Sequence, residues 1–272
     1  MNSNRKSHRK PGPKTRRKKS FLWKWKFNWK RTFLIFVSPI VLLLAYFYYQ
    51  EIKAGYIKYK AFGIYIPSEY SVHGIDVSRY QQIINWKSVK NMEIENVKIE
   101  FAFIKATQGV KTIDYHYLQN KLRAKNAGLV VGAYHFFVAT KSPQAQAELF
   151  IRIASIRSGD LPPVVDVETE YGQSDEKIRK GLKTWLRLVE NHYGVKPIIY
   201  TNADFYKQKL QGYFDNYPIW VAHYTKMGKP DLDRDWHFWQ ISEESTINGI
   251  KGKVDFNVFN GTREEFEDLL IR

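Results

Sequence analysis

The stretch LPPVVDVETE, residues 161–170, decides how this sequence is read. Val164, Val165 and Val167 make a short β-branched run, which packs well on a pleated and at least half-buried strand. Helix signals stand on both sides of it. The segment "SPQAQAELFIRIAS" (142–155) begins with Ser142 at an N-cap position and Pro143 at the first helical position. The segment "SDEKIRKGLKTWLRLVENHYG" (174–194) has acids early, bases later and Gly194 at its end, as the helix dipole and a C-terminal stop prefer. A strand set between two helices implies parallel pairing with its neighbours.

Working outward, similar runs recur at 72–78, 101–107, 130–137, 163–168, 196–202, 218–224, 237–242 and 253–259. A further helix pattern, 115–128, ends in Gly128. Eight strands in about 200 residues predict an α/β fold closed into a barrel. The later strands leave little room for helices between them, and no repeat or low-complexity stretch interrupts the region.

Two acids end the opening strand. Side chains at i and i+2 share a face, so Asp166 and Glu168 stand together with Cα atoms about 6.6 Å apart. Val165 and Val167 point to the other side. Asp76 sits late in the first run and Asp255 opens "DFN" in the last. First and last strands of a closed barrel are neighbours, and the fourth lies across the mouth. Four carboxylates therefore converge where barrel active sites form. Like charges at that density cannot all stay ionised, so at least one acid has a raised pKa. A protonated acid beside an ionised one is the equipment for glycoside hydrolysis.

Aromatic residues make up 16% of the chain. Tyr134, Tyr200, Trp220, Tyr224 and Trp239 fall in the strand runs, with Gln240 and Asn257 beside them. Such rings pack on sugar faces while polar tips make hydrogen bonds. His135 joins them as a candidate contact and would otherwise be a satisfied core histidine. Other chemistries lack their residues. There is no cysteine, HExxH pair, EF-hand spacing, Gly-x-Ser-x-Gly elbow or Gly-rich phosphate loop. No metal and no cofactor is expected.

The net charge of +16 belongs to one end: residues 1–31 hold 13 Lys/Arg and no acid, leaving 30 bases against 27 acids elsewhere. That tail is expected to be disordered. After it, "TFLIFVSPIVLLLAYFYY" (32–49) runs 18 residues without a charge, about 27 Å of helix and enough for a bilayer core. Aromatics flank both ends, and no small-x-small cleavage site follows. The expectation is a single-pass signal anchor with a cytoplasmic basic tail, a stalk over 50–70, and a catalytic domain over 71–272 outside the cytoplasm, on the periplasmic or cell-wall side. Topology and attraction to anionic lipids account for the basic segment more simply than nucleic-acid binding does. Protein partners are not readable.

The stretches "HGIDVSRYQ", "INW", "FAFIKATQG", "AGLVVGAYHFF", "LPPVVDVE", "KPIIYTN", "IWVAHY", "FWQIS" and "VDFNVFNG" occur in this order. Together they make residues 72 to about 270 resemble glycoside hydrolase family 25, the Chalaropsis-type lysozymes or N-acetylmuramidases. The resemblance implies an irregular TIM-like barrel, about five βα units followed by a more antiparallel part. It implies peptidoglycan glycan strands as substrate, cut at the β-1,4 bond between N-acetylmuramic acid and N-acetylglucosamine with retention of configuration. By the same resemblance Glu168 is the general acid, supported by Asp166, Asp76 and Asp255. The attacking group is then either the substrate's N-acetyl, oriented by Asp166, or a carboxylate, Asp166 or Asp76. Gln108 departs from the commoner "ATEG" and is expected to affect local structure or substrate preference. Two other functions stay open: a chitinase-like endo-N-acetylglucosaminidase, and a non-catalytic wall-binding protein.

Overall fold

The structure is a computed structural model, and it describes residues 29–224 and 228–272. Residues 1–28, which include most of the predicted basic tail, lie outside the described residues. Taken by itself, helix α1 (Trp29–Ala54) contains the predicted apolar span. Its window Phe33–Gln50 has a mean hydropathy of 1.8 and none of it is buried, so α1 is long and apolar enough to cross a membrane.

Part of the expected 50–70 stalk is ordered structure instead. Tyr56–Tyr59 and Ile64–Pro67 form an antiparallel hairpin, with Tyr59 opposite Ile64. Tyr59, Phe62, Ile64 and Ile66 are buried in the main core. Phe62 meets Phe256 edge-on at 5.5 Å, and its carbonyl accepts a 2.9 Å hydrogen bond from Thr246 N. The alternation of Tyr59, Ile64 and Ile66 with polar or exposed neighbours is a strand signal in so short a segment.

The eight predicted strands all form: β1 (His73–Val77), β2 (Val97–Gln108), β3 (Val130–Phe136), β4 (Val164–Asp166), β5 (Ile198–Asn202), β6 (Ile219–Ala222), β7 (Phe238–Ser245) and β8 (Val254–Phe259). They pair in sequence order, and β8 closes the barrel against β1. β1 to β7 run parallel; only β8 is antiparallel to both its neighbours. Its reversal brings the first residues of β8 to the mouth formed by the C-terminal ends of the others.

Helices α2 (Trp86–Lys90), α3 (Tyr117–Asn126), α4 (Pro143–Ala154) and α5 (Asp175–Tyr193) fill the first four crossovers. A short helical segment over 203–210 serves the fifth. Ser142 and Ser174 cap their helices through the side chain, and Gly194 takes φ +71° at the end of α5. A last helix, α6 (Arg263–Asp268), follows β8.

Side chains alternate across every strand. Ile75, Ala102, Val165, Ile199 and Val221 pack outward into the helix layer; Phe101, Phe103, Val164, Ile198 and Trp220 fill the barrel. Phe103 stacks on Trp220 at 4.3 Å. Two glycines make this filling possible. A Cβ at Gly74 would sit 2.4 Å from the Phe101 ring, and one at Gly132 would sit 2.4 Å from the Phe103 ring. These large-against-small layers occupy the barrel below its mouth and leave the mouth open.

Candidate active site

Asp76 is the penultimate residue of β1 and lies directly across the ladder from Asp255 of β8. Asp166 ends β4. Val167 N still donates to Tyr200 O at 2.9 Å, so the alternation continues past the strand and Glu168 faces the mouth with Asp166. All four acids line one cleft of about 320 Å³, together with Tyr134, Tyr200, Trp220, Tyr224 and Gln240.

Hydrogen bonds decide which acid carries charge. Trp220 Nε1 donates to Asn257 Oδ1 at 2.8 Å, and an indole N–H can only donate. That fixes the Asn257 amide, whose Nδ2 then donates to Asp76 Oδ2 at 2.8 Å. The hydroxyls of Tyr200 and Tyr224 donate to Gln240 Oε1 at 2.8 and 2.6 Å, so Gln240 Nε2 is turned to the same Asp76 oxygen, at 2.8 Å. Asp76 also hydrogen-bonds with Asp255. Burial pushes the Asp76 carboxyl up, and these donors pull it back. Burial, then the neighbouring Asp76, pushes Asp255 up to about 9. The proton of the pair therefore rests on Asp255 and the charge on Asp76.

Asp166 and Glu168 form the second pair. Burial raises Asp166 well above the usual carboxylate range, and the adjacent Glu168 adds to this. Its Oδ1 is buried with no hydrogen-bond partner. Glu168 is only partly buried; burial, then Asp76, raises its pKa. A partly exposed carboxyl that keeps its proton beside a fixed negative charge can deliver that proton to a bound substrate.

Lys105 also lines the cleft, a charged residue that was not among the sequence candidates. It follows Phe101 and Phe103 on the inward face of β2, and this F-x-F-x-K period was legible in the sequence. Its Nζ lies 4.5 Å from the Phe136 ring centroid and donates to Gln108 Oε1 at 2.9 Å. Its charge lowers the pKa of both Asp166 and Glu168. In Lys105→Met both acids should titrate higher. The pH–rate profile of the enzyme should move upward by roughly one pH unit; an unmoved profile contradicts this coupling.

Three predicted contacts lie elsewhere. His135 is fully buried and faces the helix layer, between Thr107 Oγ1 at 2.7 Å and Gln146 Oε1 at 3.2 Å, stacked on Trp185. Burial lowers its pKa to about 3. Trp239 is buried outward against Tyr70 and Trp236, with Nε1 donating to His223 O. Asn257 is fully buried beneath the cleft and acts on Asp76 rather than on a ligand. Among the described residues, no group of three or more His, Asp or Glu is placed to hold a metal ion.

The family model for "Glycosyl hydrolases family 25" matches residues 75–250. Protein YegX of Escherichia coli K12 is 44% identical over 239 residues, covering 88% of this chain and 86% of that one. Lysozyme M1 of Streptomyces globisporus is 35% identical over 210 residues, 70% of this chain and 68% of that one. Among solved structures, the family 25 glycosyl hydrolase from Bacillus anthracis superposes with a TM-score of 0.69 at 33% identity, over 75% of this chain and 95% of that one.

Proposed function

The chain belongs to glycosyl hydrolase family 25, and from that premise we propose how its acids divide the cleavage of peptidoglycan. The enzyme is a lysozyme-type glycoside hydrolase, a muramidase acting on peptidoglycan. The bond cut is the β-1,4 link between N-acetylmuramic acid and N-acetylglucosamine.

Glu168 is the general acid. Its proton moves to the glycosidic oxygen as the C1–O bond breaks and the leaving sugar departs as an alcohol. Asp166 meets the other side of the reacting sugar. In its ionised form, which burial opposes and the Lys105 charge favours, its partnerless Oδ1 either bonds C1 or holds the N–H of an N-acetyl group whose oxygen bonds C1, and both routes retain configuration. Water then attacks C1 as the bond from C1 to the Asp166 or N-acetyl oxygen breaks, and its proton returns to Glu168. Asp76, saturated by donors, is a poor nucleophile and stays as the fixed charge that keeps Glu168 protonated. Asp255 holds the proton that lets Asp76 accept. Tyr134, Tyr200, Trp220 and Tyr224 frame the sugars. The observation that carries this division is the pair of amides, Gln240 and Asn257, both turned onto one Asp76 oxygen.

The catalytic domain is residues 71–272 together with the hairpin of residues 56–67, which packs into its core. We place it outside the cytoplasm, with α1 as a single-pass anchor and the 13 Lys/Arg of residues 1–31 on the cytoplasmic side against anionic lipid. The test is incubation of the full-length chain in detergent with purified peptidoglycan. New reducing ends are expected to accumulate; wall binding without them would favour a non-catalytic binding protein.

A further inference from the structure

A second cavity, of about 300 Å³, adjoins the catalytic cleft, and Tyr224 and Glu243 line both. Its far wall is the hairpin, through Ile64 and Tyr65, and its near wall is β7, through Ile241 and Glu244. The hairpin precedes the segment matched by the family model, which begins at residue 75.

The hairpin is held firmly. Besides the Phe62 contacts, Tyr59 OH donates to Asn96 Oδ1 at 3.0 Å, Tyr56 OH donates to Gly228 O, and Lys229 pairs with Glu69 at 2.9 Å just beyond it. On this frame Tyr65 stands 49% exposed, and Tyr224 across the cavity is 48% exposed. Lys58, the cross-strand partner of Tyr65, sets its Nζ 5.5 Å from that ring's centroid. Tyr224 is oriented by its hydrogen bond to Gln240. Two half-exposed rings on fixed backbone, above a floor of Ile64 and Ile241, offer stacking surface for the apolar face of a pyranose. The carboxylates of Glu243 and Glu244 at the rim are acceptors for sugar hydroxyls.

We propose that this cavity is an additional saccharide subsite, in which the hairpin binds a further sugar of the glycan strand beyond the pair flanking the cleaved bond. The proposal rests on the muramidase reading and deepens it. Continuity with the cleft, through Tyr224 and Glu243, favours a glycan as occupant over any unrelated ligand. The hairpin thereby becomes part of the substrate-binding surface. The enzyme should prefer strands long enough to reach it.

The test compares wild type, Tyr65→Ala and Tyr65→Trp as full-length chains in detergent. The substrates are polymeric glycan strands and a short oligomer that fills only the catalytic cleft. Tyr65→Ala should raise KM for the polymer about five- to tenfold, with kcat unchanged, since one stacked ring is worth about 1 kcal/mol. Kinetics on the short oligomer should not change, and Tyr65→Trp should restore the polymer KM. An unchanged polymer KM overturns the subsite. So does an equal loss on both substrates, which would mean a structural role for Tyr65. Polymer binding to the same variants in a Glu168→Gln background separates the two claims. If wild type turns nothing over, the muramidase reading fails. Weaker binding by the Tyr65→Ala form would still support the subsite, and equal binding would overturn it.

Discussion

Glu168→Gln is expected to lower the rate of glycan cleavage by about 10³-fold while leaving KM, secondary structure and melting temperature near those of wild type. Glutamine keeps the size and polarity of the side chain and removes only the transferable proton, and general-acid catalysis is worth about 10²–10⁴-fold. Nothing in the fold depends on that proton. Glu168 lies past the end of β4, is partly exposed, and its environment disfavours its charged form through burial and Asp76. Full activity in Glu168→Gln would remove the general-acid assignment. A loss of activity accompanied by unfolding would say nothing for it, so the melting curve belongs in the same experiment.

Asp76→Asn should lose both activity and stability. The wild-type oxygen accepts from Gln240 and Asn257, and those amides cannot turn away because Trp220, Tyr200 and Tyr224 donate to their other ends. An asparagine can still turn one oxygen to both amides, but its NH2 then takes the place of the other carboxylate oxygen, and the proton of Asp255 that Asp76 accepts is left facing a donor. Each such donor costs about 1–3 kcal/mol. The melting temperature should fall by roughly 2–4 °C per kcal/mol in a domain of this size. The substitution also removes the charge that raises the pKa of Glu168 and Asp255. Proton release from Glu168 should then occur at lower pH, moving the alkaline limb of the pH–rate profile down, with a rate loss of at least about 100-fold. Unchanged stability in Asp76→Asn would contradict the ionised-acceptor assignment. An unshifted alkaline limb would contradict the coupling to Glu168.

The barrel was legible because period-2 runs and helix caps agree along the whole chain. Ser142-Pro143, Ser174 and Gly194 stand where the helices begin and end. The four acids were legible for the same reason, since Asp76, Asp166 and Glu168 fall at predicted strand ends. The reversal of β8, which puts Asp255 at its start and still at the mouth, came from no local signal; it depends on the connection between β7 and β8.

The candidate binding residues show where strand parity was not applied strictly. Adjacent residues of a strand face opposite sides, so Tyr134 and His135 cannot both meet substrate, nor can Trp239 and Gln240. In each pair the cleft takes the residue in phase with other inward side chains, Tyr134 with Phe136 and Gln240 with Phe238. Parity also points to Lys105. A search for carboxylates and aromatic rings passes over a lysine on that face. The hairpin was hidden for another reason. Segment 56–67 follows an apolar span, and its burial against Phe256 is a tertiary contact nearly two hundred residues away in sequence.

The most direct measurement is mass spectrometry of the soluble products released from purified peptidoglycan by the full-length enzyme, with the reducing-end sugar identified after borohydride reduction. Cleavage as described yields muropeptides ending in reduced N-acetylmuramic acid, and none from Glu168→Gln on the same time scale. Products ending in reduced N-acetylglucosamine would contradict it and assign the enzyme to the endo-N-acetylglucosaminidase class instead.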